Sequence, residues 1–174
     1  VTGATSGDGI SLLTPAMWYG DRNAGMEIRA KFSAITTLTA EMGFIDDVTD
    51  KTTPTVTDVD STGTFGAGLA EAAVMTIDTA ETIATFRALT KSATYTTNGA
   101  ATMYKPWMDE TSTTGITPTA DTYMTFRVQL ETDVAHFMIF DDSRNLISKN
   151  KISPATLVGG VEGGTAIGAI AIAG

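Results

Sequence analysis

The chain has 174 residues, of which 43% are hydrophobic and only 18% are charged, so it can bury one sizeable core. Its 11 basic and 20 acidic residues give a net charge of -9, which opposes binding to nucleic acid or to anionic lipid. Cysteine is absent, and this excludes disulfide bonds and thiolate metal sites.

Two alternating segments lie in the first third of the chain. Met26–Phe32 carries an apolar side chain at every second position, with charged residues between them. Leu38–Phe44 repeats the pattern and is followed by the pair Asp46-Asp47. Both segments therefore predict strands that turn one apolar face towards a core.

The middle of the chain alternates between irregular and extended segments. Residues 48–68 are rich in Thr, Asp, Gly and Pro and predict a long loop, with one short strand around Val56–Val59. Strands are predicted again at Ala72–Ile77 and at Thr82–Leu89. Gly66–Ala73 has a second interpretation as a short helix, because Ala, Leu and Glu favour helices.

The second half contains the strongest strand pair. Asn98–Asp121 is interrupted by prolines and glycines and is predicted to wrap an edge or to line a rim. Tyr123–Glu131 alternates strictly, and Thr132-Asp133 turns the chain into the apolar segment Val134–Phe140, so the two segments predict a hairpin. In the tail, the small residues of Leu157–Val161 and Ile167–Ile172 indicate strands that neighbouring strands cover closely.

These segments together predict an all-β fold. With Ser11–Met17 we count about eight to ten strands and no long amphipathic helix, a pattern typical of an antiparallel β-sandwich or jelly roll. We expect a single sandwich domain over residues 1–174. No apolar run approaches the roughly 20 residues that cross a bilayer, so we expect no membrane insertion.

The order of segments resembles the concanavalin A-like lectin/glucanase superfamily, which includes laminin G-like modules. The residues that carry the resemblance are Met26–Phe32, Met42–Asp47, the hairpin of Thr122–Glu131 and Val134–Asp141, and the closing segment Gly159–Ile172. The resemblance implies a concanavalin A-like jelly roll, a fold that serves lectins, enzymes and structural proteins alike.

The residues that hydrolysis would need are missing from this pattern. Glucanases of that superfamily use a Glu-x-Asp-x-Glu strand, because retaining hydrolysis needs two carboxyl groups about 5 Å apart. Glu131-Thr132-Asp133 comes nearest, but Ala135 stands in the third acidic place. His136 is the single histidine, in the middle of a predicted strand, and we interpret it as structural. We therefore predict a protein that is not an enzyme.

Two acidic pairs suggest a metal site, although we expect no obligatory cofactor. Ca²⁺ prefers six to eight oxygen ligands, which carboxylates in turns can supply. The candidate ligands are Asp46, Asp47, Asp141 and Asp142. Solvated turn carboxylates without a metal are the alternative interpretation.

Aromatic residues form the other candidate site. Exposed aromatic rings can stack on sugars or bury against a partner protein. The candidates are Trp18, Tyr19, Tyr95, Tyr104 and Trp107. Packing of these rings in the core is the alternative interpretation.

Composition and fold suggest a building role. A Thr-, Ala- and Gly-rich, cysteine-free, lightly charged chain with long irregular loops favours a virion structural protein of a bacteriophage, such as a capsid decoration, fibre or spike module. The expected partners are capsid or other virion proteins and further copies of the chain, at the virion surface. The alternative is an extracellular, lectin-like module that binds host glycans.

Overall fold

The computed structural model describes residues 10–19, 22–46, 56–58, 64–65, 71–80, 84–91, 99–103, 115–131, 134–152 and 168–173. These ranges contain strands and no α-helix. The strands are β1 (Ile10–Leu13), β2 (Gly25–Lys31), β3 (Thr39–Ile45), β4 (Val56–Asp58), β5 (Thr64–Phe65), β6 (Ala72–Asp78), β7 (Arg87–Lys91), β8 (Gly99–Thr102), β9 (Tyr123–Glu131), β10 (Val134–Phe140), β11 (Leu146–Ile152) and β12 (Gly168–Ala173).

The strands form three antiparallel sheets. A six-stranded sheet has the order β1-β12-β3-β6-β7-β8, a four-stranded sheet the order β11-β10-β9-β2, and β4 pairs with β5 in a small hairpin. The predicted all-β, antiparallel fold class is thereby confirmed. The described part of the chain holds no helix long and apolar enough to cross a membrane.

The main core lies between the two larger sheets. Phe44 and Met75 of the six-stranded sheet belong to one buried cluster with Phe126 and Phe137 of the four-stranded sheet. The rings of Phe86 and Phe126 meet across it with their centroids 4.9 Å apart and their planes tilted by 53°. Tilted aromatic contacts of this kind contribute about 0.5–1.5 kcal/mol beyond area burial. Two sheets that bury one face each against a shared core form a β-sandwich.

A second, smaller core covers the other face of the six-stranded sheet. Val56 of β4 and Phe65 of β5 pack there with a buried group from the sheet, which consists of Ile45, Ala72, Val74 and Leu89. Glu41 of β3 lies on this face, is fully buried, and accepts a hydrogen bond from the Val56 backbone N–H at 3.0 Å. Both faces of β3 are therefore buried, although its sequence alternates like that of a half-exposed strand.

Several predicted strands are confirmed, and β12 lies where the tail pattern indicated. Ile167–Ile172 corresponds to β12, which pairs with β1 on one side and β3 on the other, so it is an internal strand. The short strand predicted at Val56–Val59 is β4, and the predicted hairpin is β9 and β10. Leu157–Val161 lies outside the described residues.

Other boundaries differ from the predictions. The strand predicted at Thr82–Leu89 begins only at Arg87, because Ala84–Phe86 is not extended into the sheet. The helical interpretation of Gly66–Ala73 is wrong at its end, since Ala72 and Ala73 belong to β6. The irregular stretch Asn98–Asp121 contains β8, which forms an edge of the six-stranded sheet. The sequence analysis missed β11 altogether.

Candidate functional site

An exposed apolar segment begins in the edge strand β1 and continues beyond its end. We call residues 12–19 the aromatic segment. Its exposed fractions are 71% at Leu12, 59% at Met17, 38% at Trp18 and 41% at Tyr19. Among the described residues, the one other large hydrophobic side chain with comparable exposure is Tyr123. Large apolar side chains are therefore concentrated at one place on the surface.

Local hydrogen bonds tether the Trp18 ring and the backbone at Tyr19. The Trp18 indole Nε1–H donates to Thr14 Oγ1 at 3.3 Å, and the Arg22 backbone N–H donates to the Tyr19 carbonyl at 3.1 Å. The indole therefore has its polar atom satisfied within the segment while much of its ring surface faces solvent. A tethered, exposed ring loses little side-chain entropy when it binds a partner.

The outer face of the four-stranded sheet is the second candidate surface. It is the face turned away from the main core. Its side chains are Glu27, Arg29 and Lys31 from β2; Tyr123, Thr125, Arg127, Gln129 and Glu131 from β9; Val134, His136, Met138 and Phe140 from β10; and Lys149 and Lys151 from β11. Charged residues dominate this face, and an aromatic ring lies at one end.

Glu27 is the centre of an ion-pair network on the outer face. Its Oε2 accepts hydrogen bonds from Arg127 Nε at 2.9 Å and Nη2 at 2.5 Å, and its Oε1 accepts one from Arg144 Nη2 at 2.5 Å. The hydrogen bond from Arg127 holds the pKa of Glu27 below its usual value; partial burial opposes this shift and Arg144 reinforces it. One carboxylate thus binds two guanidinium groups.

The turn between β10 and β11 folds across this face. Asp142 Oδ1 contacts Arg29 Nη2 at 2.6 Å, and the guanidinium of Arg29 lies 4.1 Å from the centre of the Tyr123 ring. Arg144 adopts a left-handed backbone conformation with φ of 64° and reaches Glu27. Thr125 is consequently buried although it belongs to the outer face. Through Asp142 and Arg144, the turn is therefore bonded to β2, although β9 lies between β10 and β2 in the sheet.

The acidic turn residues serve structural roles where the structure describes them. The Asn145 backbone N–H and side-chain Nδ2 donate to Asp141 at 2.8 and 2.9 Å, and these bonds hold the pKa of Asp141 below its usual value. Asp142 pairs with Arg29. Asp46 ends β3 in the other sheet, and Asp47 lies outside the described residues. No group of three or more acidic or histidine residues suited to a metal occurs in the described ranges, so Ca²⁺ binding stays a prediction.

His136 occupies the middle of β10, as predicted. Its Nε2 lies 3.4 Å from Glu131 Oε2, and its Nδ1 is buried without a hydrogen-bond partner. In register it stands between Gln129 on β9 and Lys151 on β11. The structural interpretation of His136 stays a prediction.

Of the predicted aromatic candidates, the structure describes Trp18 and Tyr19, and both are exposed as a contact role requires. Tyr95, Tyr104 and Trp107 lie outside the described residues. Sequence reasoning missed the cationic part of the outer face, because Lys149 and Lys151 belong to the unpredicted strand β11. The available signal was the pair of lysines two residues apart, which share one face of an extended strand.

Comparison with known proteins gives a limited result. No protein-family model matches the chain, and no curated protein matches it in sequence. A solved structure of the CBM2 module of the evolved Dit of Lactobacillus casei BL23 phage J-1 is similar over 86% of this chain, with 10% sequence identity and a TM-score of 0.33. The match covers 60% of that structure's chain, which is less than two thirds of its length.

Proposed function

We propose that this protein is a non-enzymatic structural module at the surface of a virus particle, where it attaches to neighbouring subunits through the aromatic segment. The observation that carries the proposal is the concentration of exposed Leu12, Met17, Trp18 and Tyr19 beside an edge strand. Contiguous exposed apolar side chains mark sites of protein–protein contact, and aromatic residues and Met are enriched there.

Composition supports the same role. The chain has no cysteine and few charged residues, so its interfaces can bury apolar and small side chains without desolvating many charges. The edge strand β1 also has one side free of a described partner strand, since it pairs only with β12 in the six-stranded sheet. A neighbouring subunit can therefore contact both the strand and the segment that follows it.

Sedimentation velocity of the purified protein over a range of concentrations tests this proposal. We expect the wild type to self-associate, and the variant Leu12→Ser/Trp18→Ser to stay monomeric at the same concentrations. Burial of each large apolar side chain contributes about 1.5–3 kcal/mol, so the double variant should weaken association about a hundredfold or more.

Tyr123→Ser is the matched control, because Tyr123 is equally exposed but lies on the outer face of the four-stranded sheet. This variant should associate like the wild type. The proposal is contradicted if the wild type stays monomeric at high concentration and does not bind its virus particle.

Glycan binding is the second candidate function. The observation that favours it is the pair of adjacent exposed rings, Trp18 and Tyr19, with the indole N–H already hydrogen-bonded locally. Sugar rings present apolar C–H faces that stack on such rings. On this alternative the protein is an extracellular or virion-borne lectin-like module.

A glycan array probed with wild type, Trp18→Ala and Trp107→Ala separates the two functions. Binding that is lost in Trp18→Ala supports a sugar site on the aromatic segment, and binding lost only in Trp107→Ala moves the site to the residue predicted from sequence. If the wild type binds none of a broad array of neutral and charged glycans, the result counts against glycan recognition.

A further inference from the structure

The half of the outer face formed by β10 and β11 has a chemistry that the proposed function does not use. Met138 and Phe140 are half-buried side chains on β10. Lys149 of β11 lies directly opposite Met138, and Lys151 lies opposite His136. On the other side, Arg127 of β9 stands opposite Met138, with its guanidinium 5.5 Å from the centre of the Phe140 ring. We call this arrangement the cationic strip.

The positive charge of the cationic strip is not neutralised by its own residues. Glu27 is a single carboxylate shared by Arg127 and Arg144, so one unit of positive charge is left over. Lys149 and Lys151 are exposed, and neither ammonium group has an ion pair or a hydrogen bond with any residue that the structure describes. A surplus of cations therefore collects on one surface of a chain whose net charge is -9.

The spacing of the charges suits an extended ligand. Lys149 and Lys151 stand two residues apart on the same side of a strand, which separates them by about 7 Å along the strand direction. Lys149 is separated from Arg127 by the whole of β10, or about 10 Å for two strand spacings. Met138 lies between Lys149 and Arg127 in register, and Phe140 is the next residue along β10 on the same face.

We infer that the cationic strip binds an acidic polysaccharide. Its carboxylate or sulfate groups would pair with Lys149, Lys151 and Arg127, and the apolar faces of its sugar rings would cover Met138 and Phe140. Neutral glycans leave the lysines unsatisfied. Duplex nucleic acid carries a much denser charge, and the negative charge of the rest of the molecule repels it over a longer range. The inference does not depend on the role of the aromatic segment, which lies outside this sheet.

Lys149 and Lys151 have an alternative explanation, in which they protect an edge strand and bind no ligand. Edge strands often carry Lys to prevent edge-to-edge aggregation, and β11 is an edge of its sheet. On that explanation, removal of the lysines changes solubility but not the binding of any polymer. A binding measurement therefore separates the two explanations.

Affinity electrophoresis through gels that contain polygalacturonate, heparin, dextran or duplex DNA tests the inference. We expect the wild type to be retarded by polygalacturonate or heparin and not by dextran, and more weakly at high salt. Lys149→Gln/Lys151→Gln should weaken binding about five- to tenfold, as the loss of two surface ion pairs implies. Lys149→Arg/Lys151→Arg should retain it.

Arg22→Gln/Lys91→Gln is the matched control, because it changes the net charge equally at two cations outside the strands of the four-stranded sheet. It should bind like the wild type, and unchanged thermal melting should show that all variants fold. The inference is overturned if neither acidic polymer retards the wild type, if both double Gln variants bind alike, or if duplex DNA is bound in preference to both polysaccharides. Sedimentation of the aromatic-segment variants is independent of all these outcomes.

Discussion

Gly43 is a residue of the six-stranded sheet at which an added methyl group would meet backbone atoms. It lies in β3 with φ of 152°, a conformation that other residues rarely adopt. A Cβ atom there would stand 2.1 Å from the Ala73 carbonyl oxygen and 2.7 Å from the Val74 Cα atom. These are backbone atoms of the paired strand β6, so a rotamer change cannot relieve the clash.

We therefore expect Gly43→Ala to lower the free energy of unfolding by about 2–5 kcal/mol, from overpacking and backbone strain together. Gly25→Ala is the control, because a Cβ at Gly25 meets no atom within 4 Å. Its effect should stay within about 0.5 kcal/mol. Urea denaturation of both variants measures the difference. A Gly43→Ala protein as stable as the wild type would show that β3 and β6 do not approach each other in this way.

At the level of elements, the Glu27 network fastens the β10–β11 turn to the far strand of its sheet. Arg127 joins β9 to β2, and Arg144 joins the turn to β2 through the same carboxylate. Because these bonds lower the pKa of Glu27, the ionised form is favoured in the folded state. The stabilisation is therefore complete above the unfolded-state pKa, and it is lost as the pH falls through the lower folded-state pKa.

Glu27→Gln should consequently destabilise the protein at pH 7 by about 0.5–1 kcal/mol, the scale of a partly exposed ion-pair network. The difference from the wild type should shrink as the pH falls through the lowered folded-state pKa of Glu27, because the protonated carboxyl group is neutral, as Gln is. Glu131→Gln is the control on the same face, since its described partner is His136 and not an arginine. Melting curves across this pH range check the prediction. A difference that is independent of pH would assign the effect to packing instead of charge.

Strands with strict alternation and high β-propensity were predictable from the sequence, and others were not. β2, β9 and β10 follow their patterns because one face of each lies on the main core. β11 was missed because its central residues, Ser148-Lys149-Asn150-Lys151, have low β-propensity. Pairing with β10 stabilises this strand. β8 was not predicted for a related reason. Its small residues show no alternation of apolar and polar side chains, and only the pairing with β7 holds them in an extended conformation.

The candidate surfaces were also predictable only in part from the sequence. Trp18 and Tyr19 were predicted as contact residues with core packing as the alternative, and only the structure shows that both are exposed. The outer-face network could not be predicted, because Glu27 and Arg144 are distant in sequence and meet only when the turn folds over β9. The burial of Glu41 could not be predicted either, because it depends on contact with the β4–β5 hairpin, and the residues around Glu41 do not indicate that contact.

At the scale of the whole molecule, most of the described basic residues and most of the described exposed apolar side chains lie on different surfaces, with Tyr123 as an exception. Six of the 11 basic residues lie on or beside the outer face of the four-stranded sheet, whereas the other exposed apolar side chains follow the edge of the six-stranded sheet. The basic residues are Arg29, Lys31, Arg127, Arg144, Lys149 and Lys151. On the proposed role, the protein would join its neighbours through the aromatic segment and leave the outer face accessible.

Hydroxyl-radical footprinting of the isolated protein and of the assembled particle tests the proposed role most directly. Met17, Trp18 and Tyr19 are reactive, exposed side chains on the contact surface, and Tyr123 is an internal reference on the outer face. The proposed role predicts that the three residues of the aromatic segment become protected on assembly, while Tyr123 stays reactive. Equal reactivity of the aromatic segment in both states would contradict it.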